Sequence, residues 1–223
     1  MRPARAPAPH PSLRLIPSRF PPIAPFETVA TEADLEAVME LVGWTNDRLL
    51  AERIARLPRA EWVYGRPNAR VVMAAFLHVA PGGMRFNGPD LGAWHAAATL
   101  VTASAEVGHH LRREAVATGL AELRRQYRCY VARLAGLYRD IRRPRRAMPD
   151  IYAPDSYAAS QIFGEAERAS GGAGILYDSV RHEGGLNVVA HRPRNVLYVV
   201  QAEHVEVTVR AAERRIDVRR LPA

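Results

Sequence analysis

The stretch GGMRFNGPDLGAWHAAATLVTASAEVGHH, Gly82 to His110, must turn, run briefly extended and then coil into a helix. Its paired glycines let the backbone turn tightly ahead of Arg85, so that a guanidinium can point into a cleft from a strand edge. LGAWHAA is a short apolar run of strand character. Thr99 is placed to cap a helix through about Ala117, with Gly119 just beyond its end. On that helix Leu100, Val107 and Leu111 face a core. Glu106 shares the other side with His109, His110 and Arg113 at i+3, i+4 and i+7.

The remaining pattern predicts one α+β domain over 13–223, not a doubly wound βαβ array. Residues 1–12, with four prolines, read as a flexible Pro/Arg-rich tail. Residues 13–80 read as an N-terminal extension. It holds an extended SRFPPIAPFE, a helix from Thr31 (Leu35, Val38, Met39, Val42), and a second helix (Leu49, Leu50, Ile54, Leu57) ended by Pro58. VVMAAFLHV follows as a buried first strand. The core is then 81–223. Residues 120–138 fit both periods and are expected as a helix tail followed by a strand. Asp155 is expected to cap the helix YAASQIFGEAERA, which stops at Gly171-Gly172. Short strands follow: AGILYDSV, LNVVAH, VLYVV, EHVEVTV and RIDVRRL, with HEGG as a hairpin turn.

At 223 residues, 48% hydrophobic and 24% charged, the chain can bury a real core. Its net charge of +8 is carried entirely by arginine, which favours anionic partners such as phosphates, nucleotides or nucleic acid. A single cysteine, Cys129, excludes an internal disulfide framework and a multi-Cys metal site. No apolar leader follows the basic start, and Val71–Leu77 is too short to span a bilayer, so a cytoplasmic protein without membrane contact is expected. There is no Walker loop and no GxGxxG. The basic run Arg139–Arg146 reads as solvated charge, lacking the aromatic interleaving of a single-strand platform.

On residues alone, Glu106 near Arg85 suits the stabilisation of a cation developing on a bound substrate. A surface glutamate paired with Arg113 and a structural arginine is the heavier alternative. A metal site at Glu106, His109 and His110 is weaker still. Adjacent helical histidines diverge by about 100°, and no further ligand cluster completes the site.

Arg-Phe-Asn-Gly, the short apolar strand and Ala-x-x-Glu-Val closely resemble the RES domain family. A second block, YAASQIFGEA followed by GAGILYDSVRHEGGLNVVAHRP, resembles the C-terminal half of that domain. SRFPPI resembles the opening of one subgroup, so the likeness covers roughly residues 14–205. It implies a compact fold related to ADP-ribosyltransferase toxins, here with an N-terminal helical extension. It implies an NAD-degrading toxin of a RES–Xre toxin–antitoxin pair, a phosphorylase or glycohydrolase that breaks the nicotinamide–ribose bond. NAD would be substrate and phosphate a possible co-substrate, with no permanently bound cofactor and no metal. An Xre-type antitoxin would be the protein partner, within a complex where the toxin is a homo-oligomer, and any nucleic-acid contact would run through the antitoxin.

The family's turn arginine falls on Arg85 and its helix glutamate on Glu106. Its N-terminal arginine is matched to Arg19. Catalytic positions are then Arg85, Glu106, Ser179 and His95, and NAD-binding positions are Arg19, Arg85, Asn87 and Ser160. Two departures stand out. His95 occupies the place of a family tyrosine, and Ala158 lies where relatives often carry serine; Ser179 is preferred over Ser160 as the functional serine. Two alternatives remain open: an ADP-ribosyltransferase acting on a protein, and a RES-like domain that has lost catalysis and binds a partner.

Overall fold

The computed structural model describes residues 4–18, 48–142 and 146–222. Arg19, the SRFPPI opening beyond Ser18 and the helix expected from Thr31 lie outside these residues. Among the described residues the fold is α+β, nine strands in one sheet with four α-helices. The strands are β1 (Arg5–Pro7), β2 (Ser12–Pro17), β3 (Trp94–Ala97), β4 (Glu122–Leu134), β5 (Leu137–Asp140), β6 (Gly174–Asp178), β7 (Leu186–Ala190), β8 (Val196–Arg210) and β9 (Ile216–Arg220). The helices are α1 (Arg48–Ala55), α2 (Ala69–Leu77), α3 (Leu100–Ala117) and α4 (Ala158–Ala169).

The sheet order is β1-β5-β6-β7-β3-β2-β4-β8-β9. β5 runs parallel to β6, and every other neighbouring pair is antiparallel. The sheet is nearly split in its middle: β2 meets β3 in the single pair Leu13–Ala97, whereas β2 pairs with β4 along its whole length. Beyond Leu13 the two halves part, and a cleft opens between them.

Alternation along the strands sorts the core onto two faces. On one face Trp94, Ala96, Tyr130, Ala132, Leu176, Val188 and Ala190 pack with α2. On the other, Leu15, Ala97, Tyr127, Cys129, Val205, Val207 and Val209 pack with Ala103 and Leu111 of α3. A separate group on that face, Phe86, Ile175, Tyr177 and Val189, packs beside Phe163 of α4. The cleft lies where these last two groups meet, so its walls are α3 on one side and the Arg85 turn with Tyr177 on the other.

Several expectations are corrected. VVMAAFLHV is not a strand; it forms most of α2, in which Val71, Val72, Met73, Ala75, Phe76 and Leu77 are all buried. A helix enclosed on nearly every side loses its polar stripe, and with it the 3.6-residue period that betrays helices. Arg53 of α1 closes α2 by donating from Nη1 to the carbonyl of Leu77 at 2.8 Å, a cation at a helix C-terminus. The segment expected to begin as a helix tail after Gly119 is the long strand β4, paired with β8 over both ends. The α4 helix starts at Ala158, with Tyr157 and not Asp155 at its N-cap. VLYVV and EHVEVTV are one strand, β8.

Residues 4–12 are not a free tail. Arg5, Ala6 and Pro7 pair with Arg139, Tyr138 and Leu137, and Arg5 reaches the buried Glu167 of α4 at 2.9 Å. Nor is the core confined to 81–223, because β2 lies inside the sheet and supplies both halves with a neighbour. Backbone pairing outweighs the prolines here, since β1 lies on the sheet edge where a missing N–H costs little. No helix among the described residues is long and apolar enough to cross a membrane.

Candidate active site

The cleft has a volume of about 260 Å³. Leu13, Leu15, Ala103 and Val107 form its apolar side, while Arg14, Arg85, Asn87, His95, Glu106, His110, Tyr157, Tyr177 and Asn187 bring polar groups to it.

Glu106 is delivered by α3, whose start is fixed by Thr99: its Oγ1 accepts the amide of Thr102 at 3.2 Å. The Glu106 carboxylate is held by two donors on one oxygen. Ser179 Oγ donates to Oε1 at 2.7 Å and Asn187 Nδ2 donates to the same atom at 2.6 Å. Oε2 has no protein partner among the described residues, which leaves it for a ligand. Charge-assisted bonds of this length fix the carboxylate plane.

Asn187 reaches Glu106 through strand register. It lies opposite Ala97 on β3 and Tyr177 on β6, so Ala97, Asn187 and Tyr177 form a row across the cleft floor. Burial, reinforced by Glu106, pushes the Tyr177 hydroxyl far above its ordinary range, so it stays protonated.

Ser179 sits at the end of β6, where the chain turns towards β7. Its hydroxyl oxygen accepts the amides of Arg181 at 3.0 Å and His182 at 2.9 Å while donating to Glu106. The turn is tied to the start of α3 by the 2.9 Å contact between His182 Nδ1 and Thr102 Oγ1.

Arg85 and Phe86 form the tip of a tight turn closed by Met84 and Asn87, whose amides and carbonyls exchange bonds of 2.9 and 3.2 Å. Gly83 enters it at φ +69, and a Cβ there would lie 2.5 Å from the Asn87 carbonyl. The α4 helix latches the turn from outside. Gln161 Nε2 donates to the Gly82 carbonyl at 2.8 Å, Glu165 Oε1 accepts the Gly88 amide at 2.9 Å, and Gly164 lets the Phe86 carbonyl approach.

The Arg85 fork is oriented by protein. Nη1 donates to the Ile151 carbonyl at 2.7 Å, Nη2 to the Ala153 carbonyl at 2.8 Å, and the guanidinium lies 4.8 Å from the Tyr157 ring centre. Two of its five N–H groups are thereby used.

His95 and Asn87 act as a pair. Asn87 Nδ2 donates to the Gly88 carbonyl at 2.9 Å, which turns Oδ1 towards His95 Nε2 at 2.8 Å. The histidine therefore carries its hydrogen on Nε2 and its lone pair on Nδ1. Burial, and then Arg14, hold its pKa well below the ordinary value, so the ring is neutral.

Arg14 is the cleft arginine that sequence reasoning missed. On β2 it points to the face opposite Leu13 and Leu15, crosses the split and donates from Nη1 to the His95 carbonyl at 3.0 Å. Its guanidinium lies 5.1 Å from the Trp94 ring centre, and its buried Nε has no partner. Burial lowers its pKa to about 10, which still leaves it charged at neutral pH. A charged residue alternating with Leu13 and Leu15 in SLRLIP was the available signal. Asn187, a lone amide in the apolar LNVVA, carried a similar one.

Of the expected positions, the structure gathers Arg85, Asn87, His95, Glu106 and Ser179 around one cleft. Ser160 is not among them: its buried hydroxyl donates to the Tyr157 carbonyl at 3.0 Å and finishes the first turn of α4. Arg113 does not hold Glu106; among the described residues the hydrogen-bond partners of Glu106 are Ser179 and Asn187.

A family model described as the RES domain matches residues 52–210. A stretch of 74 residues is 40% identical to the uncharacterized protein y4oC of Sinorhizobium fredii, covering 33% of this chain and 31% of that protein. The match thus spans under a third of that relative's length. Among solved structures, the MbcT–MbcA toxin–antitoxin complex of M. tuberculosis contains a similar chain, 20% identical with a TM-score of 0.41. That likeness covers 55% of this chain and 73% of that one.

Proposed function

The chain belongs to the RES domain family, and on that premise we propose that it cleaves the nicotinamide–ribose bond of NAD as the toxin of a toxin–antitoxin pair. The observation that carries this reading is the Glu106 carboxylate, held on one oxygen by Ser179 and Asn187 and without a partner on the other among the described residues, in a cleft flanked by two arginines.

Breaking that bond sends its electron pair to the pyridine nitrogen and leaves positive charge on the ribose. A fixed carboxylate with one free oxygen stabilises that charge as it develops, or holds a ribose hydroxyl. Arg85 and Arg14 retain N–H groups beyond those spent on carbonyls, and guanidinium forks match the oxygens of a diphosphate. His95 offers Nδ1 as an acceptor in the place where the family carries a tyrosine. Ser179 serves as a donor to Glu106, because its lone pairs are already filled by two amides. The full set of partners around Glu106 speaks for a working site over a lost one.

The acceptor is water or inorganic phosphate, giving ADP-ribose or its 1″-phosphate. An Xre-type antitoxin covering the cleft is the partner this reading carries with it. The test is to incubate purified protein with NAD, with and without phosphate, and follow free nicotinamide and the ribosyl product. Nicotinamide release with a phosphate-dependent product supports a phosphorylase, and release to ADP-ribose a glycohydrolase. ADP-ribose accumulating on protein supports a transferase instead.

A further inference from the structure

His110 lies one helical turn beyond Glu106 on α3, and both residues line the cleft. Side chains at i and i+4 stand on the same helix face, roughly 6 Å apart at Cβ. Something held by Glu106 is therefore within reach of the His110 ring through a single bound molecule. Among the described residues that ring meets the edge of His109, with centroids 5.4 Å apart, and takes no hydrogen bond.

The proposed reaction needs a group that Glu106 cannot supply. A carboxylate that stabilises a ribosyl cation loses that ability once it takes a proton, yet an incoming water must shed one. The other histidines near the cleft, and Tyr177, are less suited to take that proton. His95 is fixed by Asn87, and its lone pair is weakened by burial and Arg14. Tyr177 stays protonated. His78 stands at the exposed rim with an interaction of its own. His182 is taken up by Thr102 and His191 by the Phe86 carbonyl.

We propose that His110 receives the proton of an incoming water and is a further catalytic residue of this cleft, an inference that rests on the NAD-cleaving reading. The acceptor in this step is water, since monohydrogen phosphate attacks through an anionic oxygen that has no proton to lose. The ribose–nitrogen bond breaks, its electron pair passes to the pyridine ring and nicotinamide leaves neutral. The water oxygen bonds to the ribose carbon, and one of its protons moves to the unprotonated nitrogen of His110 and on to solvent.

The surroundings of His110 agree with that role. Burial lowers its pKa, Glu106 opposes the shift, and Arg113 on α3, Arg181 on the β6–β7 turn and Arg85 add to it. His109 and His95 are its titratable neighbours. The ring is thus neutral and able to accept a proton at pH 7.

The test compares wild type with His110→Gln and His110→Ala, each checked for folding by circular dichroism. Nicotinamide release is measured with and without phosphate from about pH 5 to 8. His110→Gln is expected to lower kcat without phosphate by about 10²-fold or more, to leave KM for NAD within a few-fold, and to abolish the fall in that rate on the acid side. Added imidazole is expected to restore part of the His110→Ala rate. A His110→Gln protein that keeps the wild-type rate and acid limb overturns the inference while leaving NAD cleavage intact. Absence of nicotinamide release from wild type overturns both. If either variant misfolds, NMR titration of His110 in the wild-type protein decides. A pKa matching the kinetic acid limb supports the assignment, and a mismatch refutes it.

Discussion

Ser179 donates to Glu106 Oε1 at 2.7 Å while its own oxygen accepts the amides of Arg181 and His182. A hydroxyl used in this way positions a carboxylate and cannot easily attack a substrate. Ser179→Ala is expected to reduce kcat for NAD cleavage by about ten- to a hundredfold, the worth of one buried hydrogen bond to a charged group. Steady-state kinetics check this, and a covalent ribosyl adduct on Ser179 by mass spectrometry would contradict it.

Arg14 bridges the split between β2 and β3 through the His95 carbonyl. Arg14→Lys keeps the charge and loses the fork. KM for NAD is expected to rise by about tenfold, while the fold persists. An unchanged KM would remove Arg14 from the ligand's contacts.

Gly164 is where α4 presses on the Arg85 turn. A Cβ there would lie 2.1 Å from the Phe86 carbonyl, so Gly164→Ala forces the helix and turn apart. Overpacking of this kind costs about 1–3 kcal/mol. A lower thermal midpoint and a lower rate are expected together. An unaltered melt would show that the latch yields freely.

His191 is buried, with Nε2 against the Phe86 carbonyl at 3.2 Å and Nδ1 without a partner. Burial, then Arg168, lower its pKa from 6.5 to about 3. Because the folded value is below the unfolded one, the unfolded chain takes up the proton first as pH falls. The associated stability is whole above about pH 6.5 and is lost as pH drops towards 3, at about 1.4 kcal/mol per unit. His95 and His109 shift in the same direction. Urea midpoints at about pH 7.5 and 5 should fall for wild type and fall less for His191→Gln, which keeps a donor. Equal falls would contradict this assignment.

The centre of the site was legible in the sequence because its parts are local: a glycine turn, a short strand, a threonine cap and a helical stripe place Arg85, His95 and Glu106 within one segment. The Ser179 turn was readable for the same reason. Asn187 and Arg14 were not, because they reach the cleft through strand register and a split in the sheet, which no local pattern encodes. The α2 helix was misread as a strand because burial on nearly all sides erased its period. The first residues were misread as a tail because their prolines hide a pairing that only β5 reveals. Ser160 resembled a site residue in sequence, yet its position on the first turn of α4 gives its hydroxyl to a backbone carbonyl.

The measurement that bears most directly on Glu106 as the centre of an NAD-cleaving site is nicotinamide release by wild type and Glu106→Gln, both shown to be folded. Glutamine keeps the size of the side chain and an oxygen for Ser179 while removing the charge. Release by wild type and a loss of about 10²–10³-fold in kcat for the variant are expected. No release by the wild-type protein, or equal release by both, would contradict that role of Glu106.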